Sequence, residues 1–377
     1  MVILVISILT GCLTLLYISI IYSLKLGWEK VPYFEKTDSN PTTFVSILIA
    51  ARNEAGKIEK TIEDILAQNY PSQYYELIVV DDHSTDGTSE IVASFSSRGV
   101  KLIKLNESEK LNSYKKKAIT EAINLSAGEL IITTDADCRM GESWLKTIVS
   151  YYESGHYNMI SSPVAYFEEK NSFEEMQTLE FLFLIGLGAS GIGNNMPATC
   201  NGANLSYRKD VFIKLNGFKG IDELASGDDE LFLHKVASAF PGTIGFCKSR
   251  DAIVYTHAKE NLKEFIQQRK RWASKSTRYK NKNIVLLGLS IWLFNLLFLI
   301  NFISGFSNPF FWKIGLLSLA LKTAFELIFL IPVCSFANRK RLLFYLPLSS
   351  VVHIFYLVFI GIAGNSGKYN WKGRMVR

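Results

Sequence analysis

Apolar residues in this chain fall into two kinds of run. Between residue 43 and about residue 137, short β-rich runs alternate with amphipathic stretches. TFVSILIAA (43–51), ELIVVDD (76–82), KLIKL (101–105) and ELIITTDAD (129–137) predict buried strands. KIEKTIEDILAQ (57–68), SEIVASFSS (89–97) and KKKAITEAINLSA (115–127) carry the spacing of helices with one apolar face. Strands alternating with helices at this spacing predict a parallel, doubly wound α/β sheet. Ligands of such sheets bind outside the carboxyl ends of the strands, so the residues after SILIA, IVV and IITT are the ones to examine.

The second kind of run is long and stands near the chain ends. Residues 2–22 carry no charge and number about 20, enough to cross a hydrocarbon core. A cleaved signal peptide would have a basic amino-terminal region and a shorter apolar stretch, and this segment has neither. Lys25 and Lys30 follow it, so the chain is expected to enter the cytoplasm there. Three more apolar runs occupy roughly 284–304, 310–333 and 343–363, with a basic link, ANRKRL, between the last two. Lys322 and Glu326 stand four residues apart in the middle run, spaced to pair within one helix. If all four runs span, the tail NSGKYNWKGRMVR lies outside with four basic residues. Either one run is then interfacial or the positive-inside rule is broken. The expected domains are a transmembrane helix (1–22), a linker (23–42), a cytosolic α/β domain (43–282), three transmembrane or interfacial helices (283–364) and a basic tail (365–377).

Composition sharpens this division. Hydrophobic residues make up 48% and aromatics 13%, with the excess at the two ends. The net charge of +6 is also local: Lys263, Arg269, Lys270, Arg271, Lys275, Arg278, Lys280 and Lys282 crowd ahead of an apolar run. That position fits the cytoplasmic face of a membrane better than nucleic acid, which is not an expected partner. The five cysteines are scattered without a CxxC, as reduced thiols of a cytosolic domain would be, and no zinc-like spacing predicts a structural metal.

Four polar clusters carry candidate chemistry. Asp81-Asp82-His83-Ser84-Thr85-Asp86-Gly87-Thr88 follows a predicted strand directly. Asp82, at the strand end, is placed to accept hydrogen bonds from a nucleoside's base and ribose, whereas Asp86 reads as a turn and cap residue. Asp135-Ala136-Asp137 ends another strand, where residues i and i+2 point to one side and two carboxylates can share a hard cation. Gly227-Asp228-Asp229-Glu230 packs three carboxylates together. Crowding can raise the pKa of one toward that of a general base, although helix amino termini also favour acids. Gln268, Arg271 and Trp272 stand at i, i+3 and i+4 on one helix face. Arg271 could grip a diphosphate and Trp272 form an apolar wall, or the stretch is a juxtamembrane basic helix with an interfacial Trp.

In their order, these clusters resemble glycosyltransferase family 2, particularly its membrane-integrated members such as cellulose, chitin and hyaluronan synthases. The family pattern of D, DxD, an acidic motif and QxxRW is met by Asp82, Asp135/Asp137, Asp228-Asp229 and Gln268/Arg271/Trp272. SILIAARNEAGKIEKTI is similar to the family's first strand and loop, and WKGR near the carboxyl end is of a kind seen in related bacterial enzymes. The resemblance covers about residues 43–280. It implies a GT-A (Rossmann-like) nucleotide-sugar-binding domain, a nucleotide-diphosphate-sugar donor, with a UDP-sugar expected, and inversion at the anomeric carbon. By position, Arg52, Glu54, Asp82 and Lys115 would line the nucleoside pocket. Asp135 would face the ribose or metal, and Asp137 would ligate Mg²⁺ or Mn²⁺. Asp229, with Asp228 beside it, would deprotonate the acceptor, while Arg271 would stabilise the leaving diphosphate. Asn201 and Gly202 would lie near the donor sugar and the acceptor, in a site shared with Gln268 and with Trp272, which would help shape the acceptor's side of it.

Two departures bear on the product. Gly227-Asp228-Asp229 stands where many processive members carry TED, and three or four spans make a narrow bundle for a polymer channel. The apolar stretch 173–193 reads either as an interfacial helix admitting a lipid or as a buried core helix. The expected function is transfer of one sugar, or a few, to a lipid or lipid-linked glycan at a bacterial inner membrane. A processive polysaccharide synthase of the same family, and an inactive nucleotide-binding scaffold, are the competing readings.

Overall fold

The computed structural model describes residues 2–35, 41–106, 111, 113–275, 279, 281–364, 369–371 and 374–376. Arg278, Lys280 and part of the basic tail, including Lys372 and Gly373 of WKGR, lie outside the described residues. In chain order, α1 (Val2–Lys30) leads to β1 (Val45–Ala51), α2 (Ile58–Leu66), β2 (Tyr75–Asp81), α3 (Thr88–Ser94), β3 (Val100–Lys104), α4 (Tyr114–Leu125) and β4 (Leu130–Asp135). β5 (Arg139–Met140), α5 (Trp144–Glu153), β6 (Met159–Ser161), β7 (Val164–Tyr166) and the long α6 (Ser172–Gly193) follow. Then come β8 (Leu205–Arg208), α7 (Lys209–Lys214), α8 (Glu230–Ala239), β9 (Ile244–Phe246), β10 (Val254–Thr256) and α9 (Leu262–Ala273). Three long helices come next: α10 (Lys282–Ser304), α11 (Phe310–Phe336) and α12 (Leu346–Ala363). The contacts divide the chain into two compact units. One comprises Val31–Glu168, Gly191–His257 and Asn370–Arg377, and the other Met1–Lys30, Glu169–Ser190 and Ala258–Tyr369.

The first unit is built on a seven-stranded sheet of order β3-β2-β1-β4-β8-β6-β9. β3, β2, β1 and β4 run parallel, as their apolar runs predict, because helices cover both faces of such strands. β8 is antiparallel to both β4 and β6, so the sheet is mixed rather than wholly parallel. A four-residue strand such as β8 leaves too short a pattern to read. Ala118, Ile119, Ala122 and Ile123 of α4 and Phe232, Leu233 and Val236 of α8 pack with Leu48, Ile78, Val80 and Ile131 of the sheet. Each such large aliphatic or aromatic side chain contributes about 1.5–3 kcal/mol by leaving water. A second sheet, β5-β10-β7, lies in the same unit.

The loop into β4 approaches β1 so closely that only glycine fits. A Cβ on Gly128 would lie 2.4 Å from the Ser46 amide nitrogen and 2.6 Å from its Oγ. Gly128 N–H in turn donates to Ser46 Oγ at 2.8 Å. Gly128→Ala is expected to lower stability by about 1–3 kcal/mol through overpacking against backbone, read as a fall in the unfolding midpoint.

The second unit is helical. α1 continues to Lys30, so residues 23–30 are helix where a linker was expected. One face stays apolar beyond the uncharged run: Ile21 and Trp28 are buried, and Trp28 packs edge-on against Phe336 of α11 at 5.6 Å. Lys25 and Glu29 pair at 2.9 Å. Within α11, Lys322 donates to Glu326 at 2.8 Å, and Glu326 also accepts from Tyr17 of α1 and Ser350 of α12. Buried charges persist in an apolar helix bundle when neighbours satisfy them in this way. Among the described residues, five helical segments are long and apolar enough to cross a membrane, counting α6 with α1, α10, α11 and α12. α6 is the most buried of the five, with Gly186 fitting against Phe329 and Val333 of α11. Residues 169–190 and 258–275 therefore belong with the helices, whereas the sequence placed them in the α/β domain.

Candidate active site

The sheet register sets the first part of the site. Ala51 of β1 stands opposite Asp81 of β2, and Ala50 opposite Asp135 of β4, so the acidic ends of β2 and β4 flank the end of β1. β1 lies between neighbours reached in opposite directions, which is where an α/β sheet opens a ligand crevice. Asp82 is almost wholly buried, with its N–H donating to Ala51 O at 2.8 Å. The guanidinium of Arg52 donates to the carbonyls of Asp82 (2.7 Å) and His83 (3.0 Å) and lies 4.0 Å from the Asp82 carboxylate. The His83 ring also reaches that carboxylate, at 3.0 Å. Glu54 lies in the turn before α2, its carbonyl accepting from the N–H groups of Lys57 and Ile58.

Two non-glycine residues here, Asn53 and His83, take left-handed backbone with φ of 51° and 54°. Such conformations cost of order 1–3 kcal/mol and persist where neighbours hold them. The loops after β1 and β2 do hold each other. Asn53 N–H donates to Ser84 Oγ (3.0 Å), Thr85 N–H to Asn53 Oδ1 (2.8 Å) and Ala55 N–H to Asp86 Oδ2 (3.1 Å). Asp86 is thus a clamp between the loops as well as a partner of Thr88. Burial opposes its ionisation, but the hydrogen bonds from Thr88 and Ala55 outweigh that and hold its carboxyl below the ordinary value.

The second part of the site gathers around Lys115. Its ammonium donates to Asp135 Oδ1 at 2.7 Å and lies 3.4 Å from Asp228 Oδ2. Burial alone would lower the Lys115 pKa, but the carboxylates of Asp135, Asp228 and Asp229 overcome it and raise it above the usual lysine range. The structure thus brings Lys115 to the DxD and acidic motifs. Asp137, two residues beyond Asp135, is partly exposed and lies 3.6 Å from Lys57.

Asp229 caps α8, one oxygen accepting from Glu230 N–H (2.6 Å) and the other from Gly202 N–H (3.1 Å). Asn201 folds the same turn by accepting from Ala203 N–H at 2.9 Å, and Gly202 O accepts from Thr133 of β4. A Cβ on Gly202 would stand 3.4 Å from Asp228 Oδ2 and from Asp229 Cβ, so this turn lies directly against the acidic motif. Asp135, Asp228, Asp229, Asn201 and Gly202 are therefore one constellation, although about 90 residues separate its ends in sequence.

Gln268, Arg271 and Trp272 belong to the helical unit, on α9, and all three are half-buried. The residue that touches two of them, Gln268 and Trp272, is Arg269, which the sequence placed in a basic cluster at the membrane face. Arg269 is buried, donates to Glu180 of α6 at 2.7 Å and to Gln268 Oε1 at 2.6 Å, and lies over the Trp272 ring at 4.3 Å. Lys275, another member of that cluster, is buried too. The signal for Arg269 was its helical spacing from buried Phe265, four residues earlier. A second missed residue, Lys116, is buried on α4 three residues before Ile119.

Asp135 and Asp137 offer hard oxygen ligands, and among the described residues no group of three or more His, Cys, Asp or Glu side chains is gathered to hold a metal. Mg²⁺ is commonly held by one or two carboxylates completed by phosphate oxygens and water, so this pair fits a cation that arrives with a diphosphate.

The mixed sheet with its acidic strand ends has the GT-A fold. Residues 46–215 match the family described as Glycosyl transferase family 2. Glycosyltransferase AglE of Haloferax volcanii is 33% identical over 194 residues, covering 49% of this chain and 59% of the relative. A beta-monoglucosyldiacylglycerol synthase of Nostoc sp. is 29% identical over 153 residues, 41% of this chain and 33% of that protein. The matched stretches thus span between a third and three fifths of these two relatives. Among solved structures, the mannosyltransferase PcManGT of Pyrobaculum calidifontis, in complex with GDP-Man and Mn²⁺, superposes with a TM-score of 0.56. That likeness covers 93% of this chain and 99% of the other at 18% identity, and is one of fold.

Proposed function

We propose that this protein is a metal-dependent, inverting glycosyltransferase that moves a sugar from a nucleotide-diphosphate donor to a membrane-borne lipid or lipid-linked glycan. The observation that carries this reading is the convergence of Asp135, Asp228 and Asp229 on Lys115 and Gly202 beside the buried Asp82. In this reading Asp82, with Arg52 and Glu54 in the adjoining loop, receives the nucleoside. Asp135 and Asp137 hold Mg²⁺ or Mn²⁺, which when bound neutralises diphosphate charge. Asp229 takes the proton from the acceptor hydroxyl, whose oxygen bonds to the anomeric carbon as the bond to the diphosphate breaks. The electron pair of that bond leaves with the nucleoside diphosphate. Lys115 provides a fixed positive charge close to where the negative charge develops. The role of Arg271 toward the leaving group, and of Gln268 and Trp272 toward the acceptor, rests on the family resemblance of QxxRW alone. The apolar helices support a membrane setting, and the basic ANRKRL link supports a cytoplasmic catalytic domain at a bacterial inner membrane.

A thermal-shift screen of nucleotide sugars with Mg²⁺ or Mn²⁺ tests the reading. A donor at a hundred times its Kd stabilises the fold by about 2.7 kcal/mol. The shift is expected only with ion and nucleotide sugar together, and Asp137→Asn should remove the ion's part of it. If no nucleotide sugar raises the unfolding temperature with either ion, the reading fails.

A further inference from the structure

Lys116 ends among backbone carbonyls rather than at a carboxylate or in solvent. It is 2% exposed, and its ammonium donates to three backbone carbonyls, those of Ile221 (2.7 Å), Leu224 (2.6 Å) and Ser226 (2.8 Å). These carbonyls belong to the loop that delivers Gly227-Asp228-Asp229. Three carbonyl oxygens turned toward one point repel each other unless a cation with three N–H donors sits there, and an ammonium matches them one for one. Directly after Ser226 the chain reverses at Gly227, whose φ of 87° is open to glycine without strain. Asp229 then reaches Gly202 and Glu230. At the loop's other end, Lys235 donates to the carbonyls of Gly217 and Lys219.

We infer that Lys116 is a positioning residue for the acidic motif, its ammonium serving as the resident cation around which the loop before Asp228 and Asp229 folds. Successive residues of a helix point about 100° apart, so one turn of α4 sends Lys115 to Asp135 and Asp228 and Lys116 to the loop backbone. The turn thereby fixes the charges of the site and the chain that carries them. This inference rests on Asp229 being the base only for its effect on turnover; its effect on the loop does not.

Amide hydrogen exchange on the full chain in detergent provides the test, with Lys116→Met removing the donors and keeping the apolar stem. Exchange across 221–229 is expected to quicken about tenfold or more, with the β1 and β4 amides unchanged, because local opening is separable from global unfolding. In Lys116→Ala, added n-propylammonium should restore slow exchange, whereas tetramethylammonium, a cation without N–H donors, should not. Should Lys116→Met fail to fold, Lys116→Gln, which keeps two donors, is measured instead and is expected to quicken exchange less. With Mn²⁺ and a panel of UDP-glucose, UDP-N-acetylglucosamine and GDP-mannose, turnover in the variant should fall by about 10²-fold, with affinity for UDP or GDP within threefold. Unchanged exchange in 221–229, or equal quickening across the whole sheet, overturns the inference. Wild-type protein that neither binds nor turns over any donor of the panel counts against the proposed function instead, and the exchange result still decides the role of Lys116.

Discussion

Asp229→Asn is expected to lower sugar transfer by about 10²–10⁴-fold in kcat, the range for loss of a general base, while donor affinity changes little. The substitution suits the question because Asn is nearly isosteric and can still cap α8 through its carbonyl. Its amide would then face Gly202 N–H, donor against donor, at a cost of about 1–3 kcal/mol, so a modest loss of stability accompanies the loss of turnover. Asp228→Asn removes a carboxylate 3.4 Å from Lys115 and leaves the cap of α8 intact. Its effect should fall mainly on donor affinity. Transfer of labelled sugar measured for both variants separates the roles. Full transfer by Asp229→Asn would sink the assignment of the base.

Arg269→Met should have the largest effect on stability. Arg269 and Glu180 are both largely shielded and form a two-pronged pair, 2.7 Å at its shorter contact. Removing one member of a buried pair strands the other charge, which costs about 3–5 kcal/mol. The unfolding temperature of the detergent-solubilised protein should fall accordingly. The double variant Arg269→Met, Glu180→Leu should recover much of the loss, since replacing both partners with apolar groups removes the stranded charge. Arg271→Met, which breaks no described buried pair, should leave stability nearly unchanged. Equal losses in Arg269→Met and the double variant would show that packing of the arginine stem, not its charge, holds α9 to α6.

Legibility of the fold followed the strength of local periodicity. β1, β2 and β4 were readable because strands inside a parallel sheet are buried on both faces and spell continuous apolar runs. β3 lies at the sheet edge with Lys101 and Lys104 exposed, and was readable from its Val, Leu and Ile alone. β5 to β10 have two to four residues each, too few to set a period. The end of α1 was misplaced because the apolar run stops at Tyr22 while the helix continues, its last turns buried only at Gly27 and Trp28. The positions of Asp82 and Asp135 at the ends of β2 and β4 were legible because each directly follows a readable apolar strand. Arg269 and Lys116 were hidden because a cation in a run of cations reads as solvated until its partner is known, and their partners are 89 residues away and more than 100 residues away respectively.

The sequence by itself determined the order of the acidic clusters, the alternation of strand and helix and the apolar segments. All of these are local patterns that need no knowledge of distant neighbours. The tertiary structure alone decided that Lys115 bridges Asp135 and Asp228, that Gly202 meets Asp229 and that Lys116 and Arg269 are buried. Those facts depend on the packing of segments distant in sequence, and the worth of a charge depends on what surrounds it in space.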